Sequence, residues 1–198
     1  MDSRKATLER NTKETQIRLT LALDATGQTS DISTGLPFFD HMLNAFARHG
    51  HFALDLQVKG DLEVDAHHTM EDVGLALGQA LKEGLGDKRG ITRFGSALVP
   101  LDESLARVVI DLSGRPFLGW RAAFPQETAG GVSVRMFHEF FQGLVNAAGM
   151  TLHADLLFCE ENHHGLEAMF KAFGRALRQA VDFDPCVGDA VPSTKGIL

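Results

Sequence analysis

The sequence is poor in the residues that mark several large classes of protein. It has two cysteines, Cys159 and Cys186, a single tryptophan, Trp120, and no tyrosine. The two cysteines share no ligand spacing, which argues against a cysteine zinc site and predicts reduced thiols in a cytoplasmic protein. No apolar run approaches the roughly 20 residues a membrane span requires. The opening stretch MDSRKATLERNTKET lacks the apolar core of a signal peptide, so neither export nor a membrane partner is expected. No block of lysine and arginine occurs, and the net charge is -7, which argues against nucleic acid as the main partner. The missing tyrosine carries no functional reading. What is present is 198 residues, 44% hydrophobic and 23% charged, enough for one or two compact domains with a substantial core.

Alternation of polar and apolar residues over Ala6–Leu23 predicts strand, clearest in TQIRLTL. Gly27–Gly35 reads as turn. Pro37 suits the first turn of a helix through FFDHMLNAFARHG, stopped by Gly50. FALDLQV (Phe52–Val58) predicts strand, and a long helix follows from His67 to Leu85. FGSALVPL and LARVVIDL read as a strand pair joined at Asp102-Glu103, and FLGWRAAF as a further strand. A helix is expected over Ser133–Ala148, a strand over Thr151–Phe158 and a last helix over Asn162–Val181, before an irregular tail.

The order repeats, and the repeat is concrete on the two long helices. A shift of 96 lays HHTMEDVGLALGQAL (67–81) over HHGLEAMFKAFGRAL (163–177), with seven identities in fifteen positions. They include His67/His163, His68/His164, Glu71/Glu167 and Gly78/Gly174, and the apolar positions match in kind. With no linker-like tract between the halves, this predicts one α+β domain over 1–198. It is a duplicated half-domain, with repeats of about 1–90 and 91–198 and two helices packed on one sheet face in each.

The duplicated helix start is where chemistry is expected. Residues i and i+4 of a helix share a face, so His67 pairs with Glu71 and His163 with Glu167. His68 and His164 are each rotated by about 100° and point into a neighbouring space. The lone histidine of one copy can then complete the site begun by the His/Glu pair of the other. A third histidine also repeats: His41 lies 26 residues before His67, and His138 lies 25 before His163. The expected sets are His41, His68, His163 and Glu167 for one ion, and His67, Glu71, His138 and His164 for the other. Spacing does not fix which shorter-helix histidine joins which set, nor whether the sets close within one chain or across chains. A lone histidine on an amphipathic helix is more often packing or surface; two registered copies argue for ligation. Mixed imidazole and carboxylate donors suit Mn, Fe, Co or Zn, and four protein ligands leave an octahedral ion such as Mn open to substrate. His49, His51 and His153 match no pattern, which suits surface or substrate-edge positions.

The stretches FFDHMLNAFARHG, DAHHTMEDVGLALGQAL, FHEF, ENHHGLEAMFKAFGRAL and PSTKG together resemble the imidazoleglycerol-phosphate dehydratase family, over nearly the whole chain from Arg10 to Gly196. The resemblance implies a ribosomal protein S5 domain 2-like fold, two Mn2+ per subunit and a homo-oligomer of twenty-four subunits. It implies a metal-dependent hydro-lyase of histidine biosynthesis that dehydrates D-erythro-imidazoleglycerol phosphate to imidazoleacetol phosphate through an imidazolate and an enol. The eight residues above match the family's metal ligands. Glu14, in the opening R-x-T-x-E-T, is implied as catalytic acid/base. His49 and the metal-site residues His41, His67, His68, Glu71, His163 and His164 are implied at the substrate. Arg93, Arg115, Ser193, Thr194 and Lys195 match phosphate-binding positions, where guanidinium, ammonium and hydroxyl groups can all donate to phosphate oxygens. The family often has Asp-Gln where this chain has Asn44-Ala45, which bears on a polar substrate contact from position 45 and not on the metal set. The rival readings are a dinuclear metallohydrolase acting on a phosphorylated small molecule and a non-catalytic metal-binding protein.

Overall fold

In the computed structural model, which describes residues 4–25 and 29–198, two four-stranded sheets enclose a layer of four long helices. The first half runs β1 (Lys5–Asn11), β2 (Thr15–Ala22), β3 (Asp31–Ser33), α1 (Pro37–Gly50), β4 (Ala53–Gly60) and α2 (His67–Leu85). The second runs β5 (Phe94–Leu101), β6 (Ser104–Asp111), β7 (Phe117–Arg121), a small hairpin β8 (Thr128–Ala129) and β9 (Val132–Ser133), α3 (Arg135–Ala148), β10 (Thr151–Phe158) and α4 (Asn162–Val181). The sheet orders, β1-β2-β4-β3 and β5-β6-β10-β7, are the same order twice. In each sheet the short third strand pairs parallel to an otherwise antiparallel set. The duplication seen in the helices therefore extends to the strand topology, in an α+β fold.

Three expected elements differ. The alternation over Ala6–Leu23 is two antiparallel strands, with a turn at Thr12–Glu14 in which the Thr12 hydroxyl accepts from the amides of Glu14 and Thr15. The stretch expected as turn, Gly27–Gly35, contains the three-residue strand β3; its residues 27 and 28 lie outside the described residues. The strand expected through Phe124 stops at Arg121.

The core is built at the helix layer. α1 packs on α4 and α2 on α3, so each shorter helix lies beside the long helix of the other half. Phenylalanine fills the contacts: Phe140 stacks on Phe170 at 5.6 Å, Phe46 on Phe173 at 4.8 Å, and Phe39 meets Phe140 edge-on at 5.2 Å. These rings bring no hydroxyl that would need a buried partner. Glycine lets the helix backbones approach closely. A Cβ on Gly74 of α2 would lie 2.2 Å from the Phe140 carbonyl oxygen of α3, and one on Gly174 of α4 would lie 2.4 Å from that of Phe46 on α1. Both long helices present an apolar flank to a sheet, α2 to β1 and β2, α4 to β5 and β6. Their first turns are left at the end of the layer, partly exposed.

Candidate metal centre

The α1–α4 pairing brings the start of one helix against the start of the other. His41 Nε2 lies 3.1 Å, and His163 Nε2 3.2 Å, from the same oxygen of Glu167, Oε2, with the imidazole centroids 5.4 Å apart. Three potential ligand atoms thus converge, one residue from the first half and two from the second. Phe38 packs edge-on to His163 at 5.1 Å and limits its rotation. Glu167 is only 16% exposed, and Lys171 Nζ sits 2.8 Å from its Oε1. Burial works against ionisation here, but hydrogen bonds from Lys171 and His41 outweigh it and hold the Glu167 carboxyl at about 2. The carboxylate is therefore charged at any working pH. Two imidazoles and one ionised carboxylate form a donor set that a borderline divalent ion can occupy by displacing ring protons.

The other cluster is assembled less tightly. His67 Nε2 is 3.5 Å from Glu71 Oε2, and both side chains are more exposed than Glu167. His138, on α3 beside α2, turns its Nδ1 to Glu139 Oε1 at 3.2 Å and its ring edge to Trp120, with centroids 5.8 Å apart. The two halves differ at one telling position. The shift that aligns Glu71 with Glu167 aligns Leu75 with Lys171, and among the described residues only the second carboxylate has a lysine or arginine against it.

The lone histidines point away from both clusters, with their rings nearly perpendicular to those of His67 and His163. His68 Nδ1 is 3.0 Å from Asp61 Oδ2, and its Nε2 is 3.8 Å from Glu14 Oε1. His164 Nδ1 is 3.0 Å from Glu103 Oε2. The hydrogen bonds to Asp61 and Glu103 raise the pKa of His68 and His164 respectively. Among the described residues, no group of converging ligand atoms joins His68 to His41, His163 and Glu167, or His164 to His67 and Glu71. Within one chain the four-ligand sets do not close.

Glu14 is set beside His68 by a small network. Asp72, one residue after Glu71, accepts from the Thr15 hydroxyl and from Arg10, whose Nη2 is 2.7 Å away, and so binds the β1–β2 turn to the first turns of α2. Arg10, Thr12 and Thr15 of the R-x-T-x-E-T stretch thus place the glutamate between them. Glu14 itself lies in the turn, ahead of the polar face formed by Gln16 and Arg18.

The residues matched to phosphate binding gather at the opposite end of the long helices. The Arg93 amide donates to the Ala180 carbonyl, near the end of α4. Its guanidinium is 14% exposed, forks onto Asp111 at 2.7 and 3.1 Å, and donates to the Pro192 carbonyl at 2.9 Å, which ties down the tail carrying Ser193, Thr194 and Lys195. Arg115 is exposed on the turn before β7. From His163 to Ala180 the helix rises about 25 Å. His49, at the far end of α1, lines a cavity of about 450 Å3 with Ser96, Arg175 and Arg178. Burial, reinforced by the charges of Lys171 and Arg175, lowers its pKa and keeps it neutral. Ala45, at the position where the resemblance departs, is buried on the same helix.

Comparison with known proteins bears on the family and the fold. The pattern described as Imidazoleglycerol-phosphate dehydratase matches residues 34–177. The chain belongs to the imidazoleglycerol-phosphate dehydratase family. It is 58% identical to the imidazoleglycerol-phosphate dehydratase of Acidithiobacillus ferrooxidans, over 100% of this chain and 99% of that one. It is 56% identical to that of Alcanivorax borkumensis, over 100% and 97%. Among solved structures of the family, the Staphylococcus aureus enzyme superposes with a TM-score of 0.82 at 37% identity, covering 91% of this chain and 99% of that chain. The Pyrococcus furiosus enzyme, in complex with (S)-C348, gives 0.84 at 36% identity, covering 96% and 100%.

Sequence reasoning within the family's motifs missed four side chains at this site. Lys171 was legible in principle as the one charged departure from the repeat beside a candidate ligand. Asp72 and Glu103 carry no such signal, because each acts across the fold, and Asp61, seven residues before His68, lies in an irregular connection that has no period to place it.

Proposed function

We propose that this chain dehydrates D-erythro-imidazoleglycerol phosphate to imidazoleacetol phosphate in histidine biosynthesis, at sites that take two divalent cations of the Mn2+ type per subunit. The observation that carries the reading is the convergence of His41, His163 and Glu167 from two halves of one fold, echoed by the His67/Glu71 pair on α2, with His138 on the adjacent α3. Nitrogen and carboxylate donors without sulfur suit Mn2+, and a set short of six ligands leaves positions for the substrate ring. When bound, the ions supply Lewis acidity that stabilises negative charge on the imidazole.

The residues of the chain do the rest. His68 and Glu14 stand together, so a substrate beside an ion that His68 Nε2 would hold has a carboxylate within reach. Glu14 takes the proton from the carbon beside the one that bears the departing hydroxyl, the hydroxyl leaves as water after gaining a proton, and the enol so formed becomes the ketone as its O–H proton is lost and the carbon that lost the hydroxyl gains one. Arg93, Arg115, Ser193, Thr194 and Lys195 grip the phosphate and fix the diol between ring and base. The roughly 25 Å of helix between the histidine clusters and Arg93 exceeds what a three-carbon chain bearing an imidazole and a phosphate can span. The grip must then come from another copy of the chain, as must the lone histidines that close each four-ligand set. This supports a homo-oligomer, taken to be the twenty-four-subunit assembly that the family resemblance implies. Free Cys159 and Cys186 suit the reducing cytoplasm, and no described helix is long and apolar enough to cross a membrane.

The test is metal content per chain measured with a dehydration assay. Two Mn2+ per chain with ketone formation is expected; release of inorganic phosphate without ketone would instead make the protein a metallohydrolase. Glu14→Gln should keep its metal and lose turnover by about 100-fold or more; near-normal turnover removes Glu14 from the chemistry.

A further inference from the structure

Each lone histidine offers one nitrogen to a carboxylate and leaves the other turned outward. We propose that Asp61 and Glu103 are positioning residues: each holds the lone histidine of its own half, His68 or His164, with the proton on Nδ1, so that Nε2 is the ligand atom. The proposal rests on the metal-site reading above and extends it to residues that touch no ion.

The two contacts match in kind. Nδ1 faces the carboxylate at 3.0 Å in both, and an ionised carboxylate only accepts, so the nitrogen facing it carries the hydrogen. A carboxylate on the far nitrogen fixes ring orientation and tautomer and makes the ligand nitrogen more basic. Asp61 is committed to this task. Its Oδ1 is buried without a hydrogen-bond partner, so its hydrogen bonding is spent on His68. Glu103 is steadied through the same Oε1 that lies near His164, which accepts from the Ser104 hydroxyl at 3.0 Å. An ordinary surface ion pair would be worth little and would favour neither ring nitrogen.

Duplication alone does not account for the match. The 96-residue shift carries Asp61 onto Leu157, not onto an acid. Glu103 sits immediately before β6, as Glu14 sits immediately before β2, so Glu103 is the counterpart of Glu14. In the first half Asp61 holds His68 from the Nδ1 side, while Glu14 stands 3.8 Å from Nε2, the ligand side. In the second half the turn glutamate has taken the Nδ1 side itself. Two carboxylates from different elements thus reach the same geometry, and the equivalent turn glutamates divide the work: Glu14 moves a proton and Glu103 orients a ligand.

The experiment titrates Mn2+ by calorimetry into the metal-stripped full chain, folded by circular dichroism, for the wild type and for Asp61→Ala, Asp61→Asn, Glu103→Ala, Glu103→Gln and Glu14→Ala. Each alanine variant of Asp61 or Glu103 should weaken one ion site by 10- to 100-fold and regain turnover at saturating Mn2+. The amide variants, whose carbonyl oxygen still accepts from Nδ1, should recover most of the affinity. Glu14→Ala should bind ions as the wild type does and stay inactive at saturating Mn2+. Alanine variants that titrate like the wild type overturn the proposal. So do amide variants as weak as alanine, because the tautomer argument then fails, and so does a fully loaded Glu103→Ala that remains inactive, because Glu103 would then belong to the chemistry. A wild type that takes up no Mn2+ and makes no ketone sinks the functional reading instead, and is told apart by that control.

Discussion

Gly74→Ala tests whether close helix packing is what keeps the His67 cluster together. The added Cβ would lie 2.2 Å from the Phe140 carbonyl oxygen and 3.1 Å from the Leu144 amide nitrogen, both backbone atoms that no rotamer change can move. A comfortable carbon–oxygen contact is about 3.3 Å, so α2 and α3 must part by roughly 1 Å. Overpacking of this kind costs about 1–3 kcal/mol, more than the ~1 kcal/mol gained by replacing glycine with alanine in a helix at its upper end. Net of that gain the cost is up to about 2 kcal/mol, which near 200 residues lowers the melting temperature by up to roughly 8 °C. The displacement also separates His67 and Glu71 on α2 from His138 on α3, whereas ligand distances tolerate only about 0.2 Å. The expected result is one Mn2+ site weakened at least tenfold and the other, built on α1 and α4, unchanged, read by electron paramagnetic resonance during an Mn2+ titration. Gly84→Ala on the same helix is the control, since its Cβ would meet only Leu23 side-chain carbons at 3.5 and 3.7 Å. A Gly74→Ala protein that melts with the wild type and holds both ions equally tightly would refute the reasoning.

Three further perturbations follow. Lys171→Leu copies the residue at the matching position of the first half. Removing a charge 2.8 Å from Glu167 should strengthen Mn2+ binding there by up to about tenfold, roughly 1.4 kcal/mol, and weaker binding on calorimetry would contradict it. Burial opposes ionisation of Asp155, but Arg121 and Arg107 prevail and lower its pKa below the ordinary 3.8. Its folded pKa is depressed, so its contribution to stability is present above 3.8 and lost as pH falls through the folded value; a melting series on Asp155→Asn should be flatter than wild type below about pH 4. Arg93→Ala should raise KM strongly and, by freeing Asp111 and Pro192, lower stability by about 1–3 kcal/mol; unchanged inorganic-phosphate affinity would remove Arg93 from the grip.

Much of the fold was legible because its long helices carry both periodicity and punctuation. His67–Leu85 and Asn162–Val181 stand where the apolar repeat and its flanking breaks place them. The turn at Thr12–Glu14 was hidden because it contains neither glycine nor proline. β3, β8 and β9 are two or three residues long, too short to show a period. At the site, the shift of 96 exposed the histidines and glutamates. It could not say that α1 lies on α4, which is what puts His41 with His163. Glu103 was beyond reach for a related reason, lying 61 residues from its histidine, while Asp61 is only seven residues from His68 but sits in an irregular connection whose path no periodicity gives.

The lone indole of this chain has a use. Trp120 stands edge-on to His138, and with tyrosine missing everywhere, ultraviolet emission from the folded protein arises beside a single candidate ligand. A paramagnetic ion bound at that imidazole would quench the emission directly. Emission from Trp120 is thus a direct optical readout of binding at His138.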